Sequence, residues 1–260
     1  MQTAPYKPMT YPWLVFTSLL LGASWFLLAF ISNYLTAWFL PASLFPSFIP
    51  APELDWLRYS LPRLILGLPL YWLLVPALLG VNRKNYSAFL RASGVVGFRR
   101  GGFGTLVALI SVSVILSGLY LTRYGGYSEA SGDLAALTNW WAWLSDVQPP
   151  LVEEMLYRGI LLSLLVRYTK PWIAVTVSSL LFGILHLVVW GTLSAFVQTS
   201  AIAVLFALGW FVTGSLWTGV LAHFAMNHGL FVPVGVAYIL VLAVASLFKR
   251  RAKVETAATY

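Results

Sequence analysis

The sequence predicts an all-α fold: a polytopic integral membrane helical bundle with about eight transmembrane helices. Three observations carry this. Hydrophobic residues make up 60% of the 260 and charged residues 9%, against about 45–50% and about 25% in soluble domains. Mean hydropathy is +0.82. Apolar runs also recur near the roughly 20 residues that a helix needs to cross about 30 Å of hydrocarbon. The same numbers exclude a disordered chain and a secreted disulfide scaffold. With no cysteine, Cys nucleophiles, thiolate metal sites and disulfides are excluded together.

The expected spans follow in order. The first covers about Tyr11–Leu40, long enough to tilt or project beyond the lipid. Next come about Leu61–Gly80 and Phe103–Leu121. A fourth starts near Pro150 and ends near Tyr168. The last four cover about Pro171–Trp190, Leu193–Val212, Ser215–Phe231 and Val232–Phe248. Pro41–Pro52 and the polar piece Arg123–Gln148 read as loops, with Trp140, Trp141 and Trp143 on a short interfacial helix. Trp13, Trp38, Trp172 and Trp190 fall near span ends, where interfacial Trp residues gather. No cleaved signal peptide and no internal repeat are evident. Residues 1–139 read as a scaffold of about three spans, 140–248 as a core of about five, and 249–260 as a basic tail.

The net charge is +8. Its basic residues lie between apolar runs, so they read as a topology signal and not as a nucleic-acid surface. With eight crossings and an internal N-terminus, the inner segments hold Lys7, Arg83, Lys84, Arg91, Arg99, Arg100, Arg167, Lys170, Lys249, Arg250, Arg251 and Lys253, twelve of the 16 basic residues. The outer segments hold Arg58, Arg63 and Arg123, with the acids Glu53, Asp55, Glu129, Asp133 and Asp146. Both termini are therefore expected in the cytoplasm. Gly101-Gly102-Phe103-Gly104 has neither a Walker lysine nor a preceding strand, so it reads as a flexible helix start.

Ionisable groups inside apolar helices carry the chemical information, because Asp, Arg or Lys at a helix centre costs about 2.5–3.5 kcal/mol. The fourth span holds Glu153, Glu154 and Arg158. Glu154 and Arg158 are i,i+4 and share a face. Glu153 is turned about 100° away and is left for other work, such as general base catalysis. A structural ion pair at a helix start is the other reading of this stretch. His186 in the fifth span reads either as a hydrogen-bonded packing residue or as a functional one. In the seventh span His223 and Asn227 project from one face, while His228 points elsewhere and reads as supporting or interfacial. With alternating helix directions Glu153, His186, His223 and Asn227 fall in one leaflet. A Glu, two His and an Asn at similar depth suit hydrolysis: a base for water and donors for a developing oxyanion.

These residues resemble the motifs of the CPBP intramembrane protease family, which includes type II CAAX prenyl endopeptidases and proteins linked to bacteriocin self-immunity. The first motif is Glu153-Glu154-x-x-x-Arg158 followed by Gly159, the second Phe182-x-x-x-His186, the third His223-x-x-x-Asn227 with the lead-in Gly214-Ser215-Leu216-Trp217. The resemblance implies that Glu153 and His186 activate the attacking water, that His223 and Asn227 stabilise the oxyanion, and that Glu154 and Arg158 orient the site. No cofactor is favoured. The alternative is Zn²⁺ on Glu153, His186 and His223, a set that leaves an open position. Other membrane proteases fit less well: His-Glu-x-x-His and Gly-x-Gly-Asp are absent, there is no catalytic Cys, and Ser215 belongs to the third motif's lead-in.

The expected activity is hydrolysis of a peptide bond in a membrane-anchored or exported protein with a hydrophobic segment. The expected setting is the bilayer of a bacterial or archaeal plasma membrane, with the site toward the outer half and no nucleic-acid partner. A non-proteolytic binding or immunity protein is the alternative. A transporter is less favoured, because its polar cluster would be expected in both halves of the chain.

Overall fold

The computed structural model describes residues 6–39, 54, 56–99, 101–124 and 140–258. Among them every regular element is helical, as the composition predicts. Helix α1 is Tyr11–Phe39. Helix α2 covers residues 56–78, with π-helical turns at Trp56–Ser60 and Leu70–Leu74 around the α-helical Leu61–Pro69. The second wide turn directly follows Pro69, whose missing N–H and bulky ring disturb the i→i−4 ladder. Helix α3 is the short Tyr86–Ala92, and α4 is Gly102–Tyr124. Helix α5 covers residues 140–168, with Met155–Leu162 in π-helical geometry between α-helical Trp140–Glu154 and Ser163–Tyr168. Then come α6 (Pro171–Trp190), α7 (Leu193–Thr213), α8 (Trp217–Asn227) and α9 (Phe231–Ala258).

Helix α5 is the axis of the bundle. Every residue from 152 to 165 is buried, the mark of a helix surrounded on all sides. Helices α1, α2, α6 and α7 pack around it. Their outer faces carry exposed Leu, Val, Ile, Phe and Trp side chains, as lipid contact requires. The inner face of α1 is a stripe of Leu14, Ser18, Leu21, Gly22, Leu28, Ser32 and Thr36. Its small members allow the close approach that drives helix association in lipid. Gly67 on α2 lies against Val152: a Cβ there would sit 2.9 Å from the valine Cγ1. Residues 56–69 pack on 140–154 and residues 70–74 on 155–162, so α2 and α5 run parallel.

Several sequence expectations are corrected. The fourth helix does not start at Pro150. It begins at Trp140 and continues through Pro149 and Pro150. Proline favours a first helical turn, which is why the sequence suggests a start there. Residues 140–148, expected as the end of a loop with a separate interfacial helix, are thus the first turns of α5. The seventh span, expected over Ser215–Phe231, is an 11-residue helix. At 1.5 Å per residue it extends about 16 Å, too short to cross the hydrocarbon. Gly214 and Gly229, both at positive φ, end the chain direction on either side of it.

Among the described residues, five helices are long and apolar enough to cross a membrane: Tyr11–Phe39, Arg58–Leu78, Gly102–Leu121, Pro171–Trp190 and Leu193–Thr213; Phe231–Leu247 is a shorter apolar stretch. The Pro41–Pro52 loop, the acids Glu53, Asp55, Glu129 and Asp133, and Arg100 lie outside the described residues.

Candidate active site

Glu153 and Glu154 sit where α5 widens into its π-helical stretch. Such wide turns are found often at functional sites. Both glutamates are buried, Glu154 completely. The i,i+4 pair forms: Arg158 Nη1 donates to Glu154 Oε1 at 3.0 Å. Arg158 Nη2 donates to the carbonyl of Ala203 on α7 at 3.3 Å. Its guanidinium also lies over the rings of Phe182 (4.5 Å) and Phe206 (5.2 Å). The charge thus meets a carboxylate, a backbone carbonyl and two ring faces.

His223, from α8, is drawn into this network. Its Nδ1 lies 3.1 Å from Glu154 Oε1, and since a carboxylate accepts, Nδ1–H donates. Its Nε2 is 4.0 Å from Glu153 Oε2. Glu153 therefore does not point away from the cluster: the two adjacent carboxylates address opposite nitrogens of one imidazole. Glu153 Oε2 has no hydrogen-bond partner. The His223 ring is also held by Phe206, stacked at 5.8 Å, and by the edge of Phe182 at 5.8 Å.

His186 lies on the other side of Phe182, with ring centroids 4.5 Å apart. Its Nδ1 is 2.9 Å from the Phe182 carbonyl. A carbonyl only accepts, so the proton is on Nδ1 and a neutral ring keeps its lone pair on Nε2. That is the form a base or a water-holding acceptor needs. His186, His223 and Asn227 line a cavity of about 370 Å³ together with Asp146, Phe182, Trp190, Phe206 and Phe231. Its size is at the lower end for ligand pockets, and its walls are mostly aromatic and apolar. Glu153 is not among the lining residues and reaches this group through His223.

Four features were not legible beforehand. Asp146 lines the cavity and lies 3.4 Å from His228 Nδ1; reading residues 140–148 as helix would have put it two turns before Glu153. Phe206 and the Ala203 carbonyl come from α7, which has no motif to mark them. Gly219 leaves the room that Glu154 occupies: a Cβ there would sit 3.1 Å from Glu154 Cδ and closer still to Oε2. Its signal was its place one turn before His223. Among the described residues no three His, Asp or Glu side chains gather closely enough to hold a metal ion.

Arg158→Ala would leave Glu154 as an unanswered buried charge. The expected loss is about 3–5 kcal/mol, read as a large fall in Tm in detergent. A Glu154→Gln, Arg158→Met double variant should recover much of it. An unchanged Tm for the single variant would contradict the pairing.

Residues 135–229 match the family described as Type II CAAX prenyl endopeptidase Rce1-like. Comparison with curated proteins and with solved structures gave no match. The matched stretch takes in all of α5 through α8, and with them Glu153, Glu154, Arg158, His186, His223 and Asn227. The protein is thus an all-α membrane protein in which residues 135–229 are similar to the type II CAAX prenyl endopeptidase Rce1-like family.

Proposed function

We propose that the chain is an intramembrane endopeptidase that hydrolyses a peptide bond in a membrane-anchored or exported protein with a hydrophobic segment. The observation that carries this reading is the unpartnered Glu153 Oε2, 4.0 Å from His223 Nε2, behind a cavity lined by His186, His223 and Asn227. A structural ion pair accounts for Glu154 and Arg158. Glu154 Oε2 is also without a hydrogen-bond partner, but Glu154 is held through Oε1 by Arg158 and His223; the ion pair does not account for the second buried carboxylate beside it, whose Oε2 has the 4.0 Å approach to His223 Nε2.

In the proposed reaction Glu153 takes a proton from a water that His186 Nε2 helps to hold. The hydroxide oxygen bonds to the scissile carbonyl carbon, and the carbonyl π pair moves to oxygen. That oxyanion is stabilised by the Asn227 amide N–H groups and by His223. The tetrahedral intermediate collapses as the C–N bond breaks, and the amine leaves with the proton that Glu153 had taken. Glu154 and Arg158 hold His223 in orientation. No step is routed through zinc, because the described donors do not gather into a three-ligand set.

The basic residues of the segments before α8 support a cytoplasmic N-terminus in a bacterial or archaeal plasma membrane, with the site toward the outer half. Arg167 and Lys170 mark one end of α5 and α6. His186 lies about 23 Å along α6 from Pro171 at 1.5 Å per residue. A single cysteine at Ser131, outside the described residues, tests the side. Labelling only after the membrane is breached would reverse the orientation.

Protein termini in membranes of cells carrying wild type or Glu153→Gln test the activity. Termini present only with wild type are expected, with Glu153→Gln equally abundant and inserted. Unchanged cleavage by Glu153→Gln would remove the role given to Glu153. In isolated membranes, appearance of the same termini should persist with a zinc chelator such as 1,10-phenanthroline. Its loss on chelation, and return on adding zinc, would assign Glu153, His186 and His223 to a metal.

A further inference from the structure

Hydrolysis inside a bilayer needs a supply of water, yet Glu153 does not line the cavity that His186 and Asn227 line. Glu153 interacts electrostatically with Arg63 and Tyr71 of α2, in the half of the chain outside the family match. The Gly67–Val152 contact sets the register of the parallel pair α2 and α5. One turn earlier on each helix are Arg63 and Gln148, which therefore come to the same level on the faces turned toward each other.

Gln148 is 3% exposed, and its Nε2 has no partner; neither has Arg63 Nε. Arg63 Nη2 donates to Asn33 Oδ1 of α1 at 2.9 Å, and the guanidinium interacts electrostatically with Glu153. Two donors and one acceptor, Glu153 Oε2, are thus left unmatched in one region. Burial increases along it, from exposed Asn33 through half-buried Arg63 to buried Gln148 and Glu153. Leaving such groups unmatched costs about 1–3 kcal/mol each. An anion would satisfy the donors and be repelled by Glu153; a cation would do the reverse. Water, both donor and acceptor, satisfies all three.

We propose that Asn33, Arg63, Gln148 and Glu153 line a water path that delivers the hydrolytic water to Glu153 from the α1–α2 side, while substrate occupies the cavity on the His186–Asn227 side. This rests on the reading of Glu153 as the base. Arg63 and Gln148 are positioning residues. The division keeps the nucleophile's route open when an apolar peptide fills the cavity.

The native chain has no cysteine, so single cysteines report water directly. In membranes, Gln148→Cys should react with a small charged methanethiosulfonate far faster than Ser93→Cys, which is equally buried. Arg63→Cys should likewise outpace Ile65→Cys, which is 59% exposed but on the lipid side. Equal rates within both pairs would overturn the path. In the terminus comparison, Gln148→Leu should lower the yield of wild-type-specific termini by about tenfold, the loss of one well-held bridging water, and Gln148→Asn should restore part of it. Full activity in Gln148→Leu would overturn the positioning role. The labelling needs no turnover, so it separates failure of the path from failure of the hydrolase reading.

Discussion

Glu154 and Arg158 form a 3.0 Å ion pair inside a helix whose residues 152–165 are all buried. In hydrocarbon neither charge can be left to solvent, and breaking a buried pair is far more costly than never making one. That constraint reaches into each neighbouring helix. Helix α7 supplies the Ala203 carbonyl and the Phe206 ring, α6 supplies Phe182, and α8 supplies Gly219 as space and His223 as a donor. The bundle around α5 is arranged to answer one pair of charges.

The geometry of the candidate site follows from the same interactions. Glu154 accepts from Arg158 and from His223, so the imidazole is oriented by a group that is itself fixed. Phe182 then serves as a partition: its ring meets Arg158, His223 and His186. Its carbonyl fixes the His186 proton on Nδ1. A site so dependent on aromatic walls and one ion pair needs few polar side chains, which suits its place in a membrane.

Local periodicity made part of this legible in the sequence. The spacing of Glu154 and Arg158 foretells their pairing because i,i+4 residues meet on any helix. His223 and Asn227, one turn apart, do line one cavity with His186. What could not be read lies between helices. Nothing local says that His223 reaches back to both carboxylates, or that Phe206 stacks on it. The continuation of α5 through Pro149 and Pro150 was hidden by proline's preference for helix starts. The shortness of α8 was masked by its apolar composition, although Gly214 and Gly229 marked its limits. Arg63 read as part of the scaffold and Gln148 as the end of a loop until the register of α2 on α5 brought them level.

A double-mutant cycle between Glu154 and His223 tests the central interaction most directly. Glu154→Gln, His223→Gln and the double variant are compared by unfolding in detergent micelles. The account predicts that the double variant loses less than the two singles together, by a coupling of about 1–3 kcal/mol. Strictly additive losses would mean that His223 is not held by Glu154, and the account of how the site is built would be contradicted.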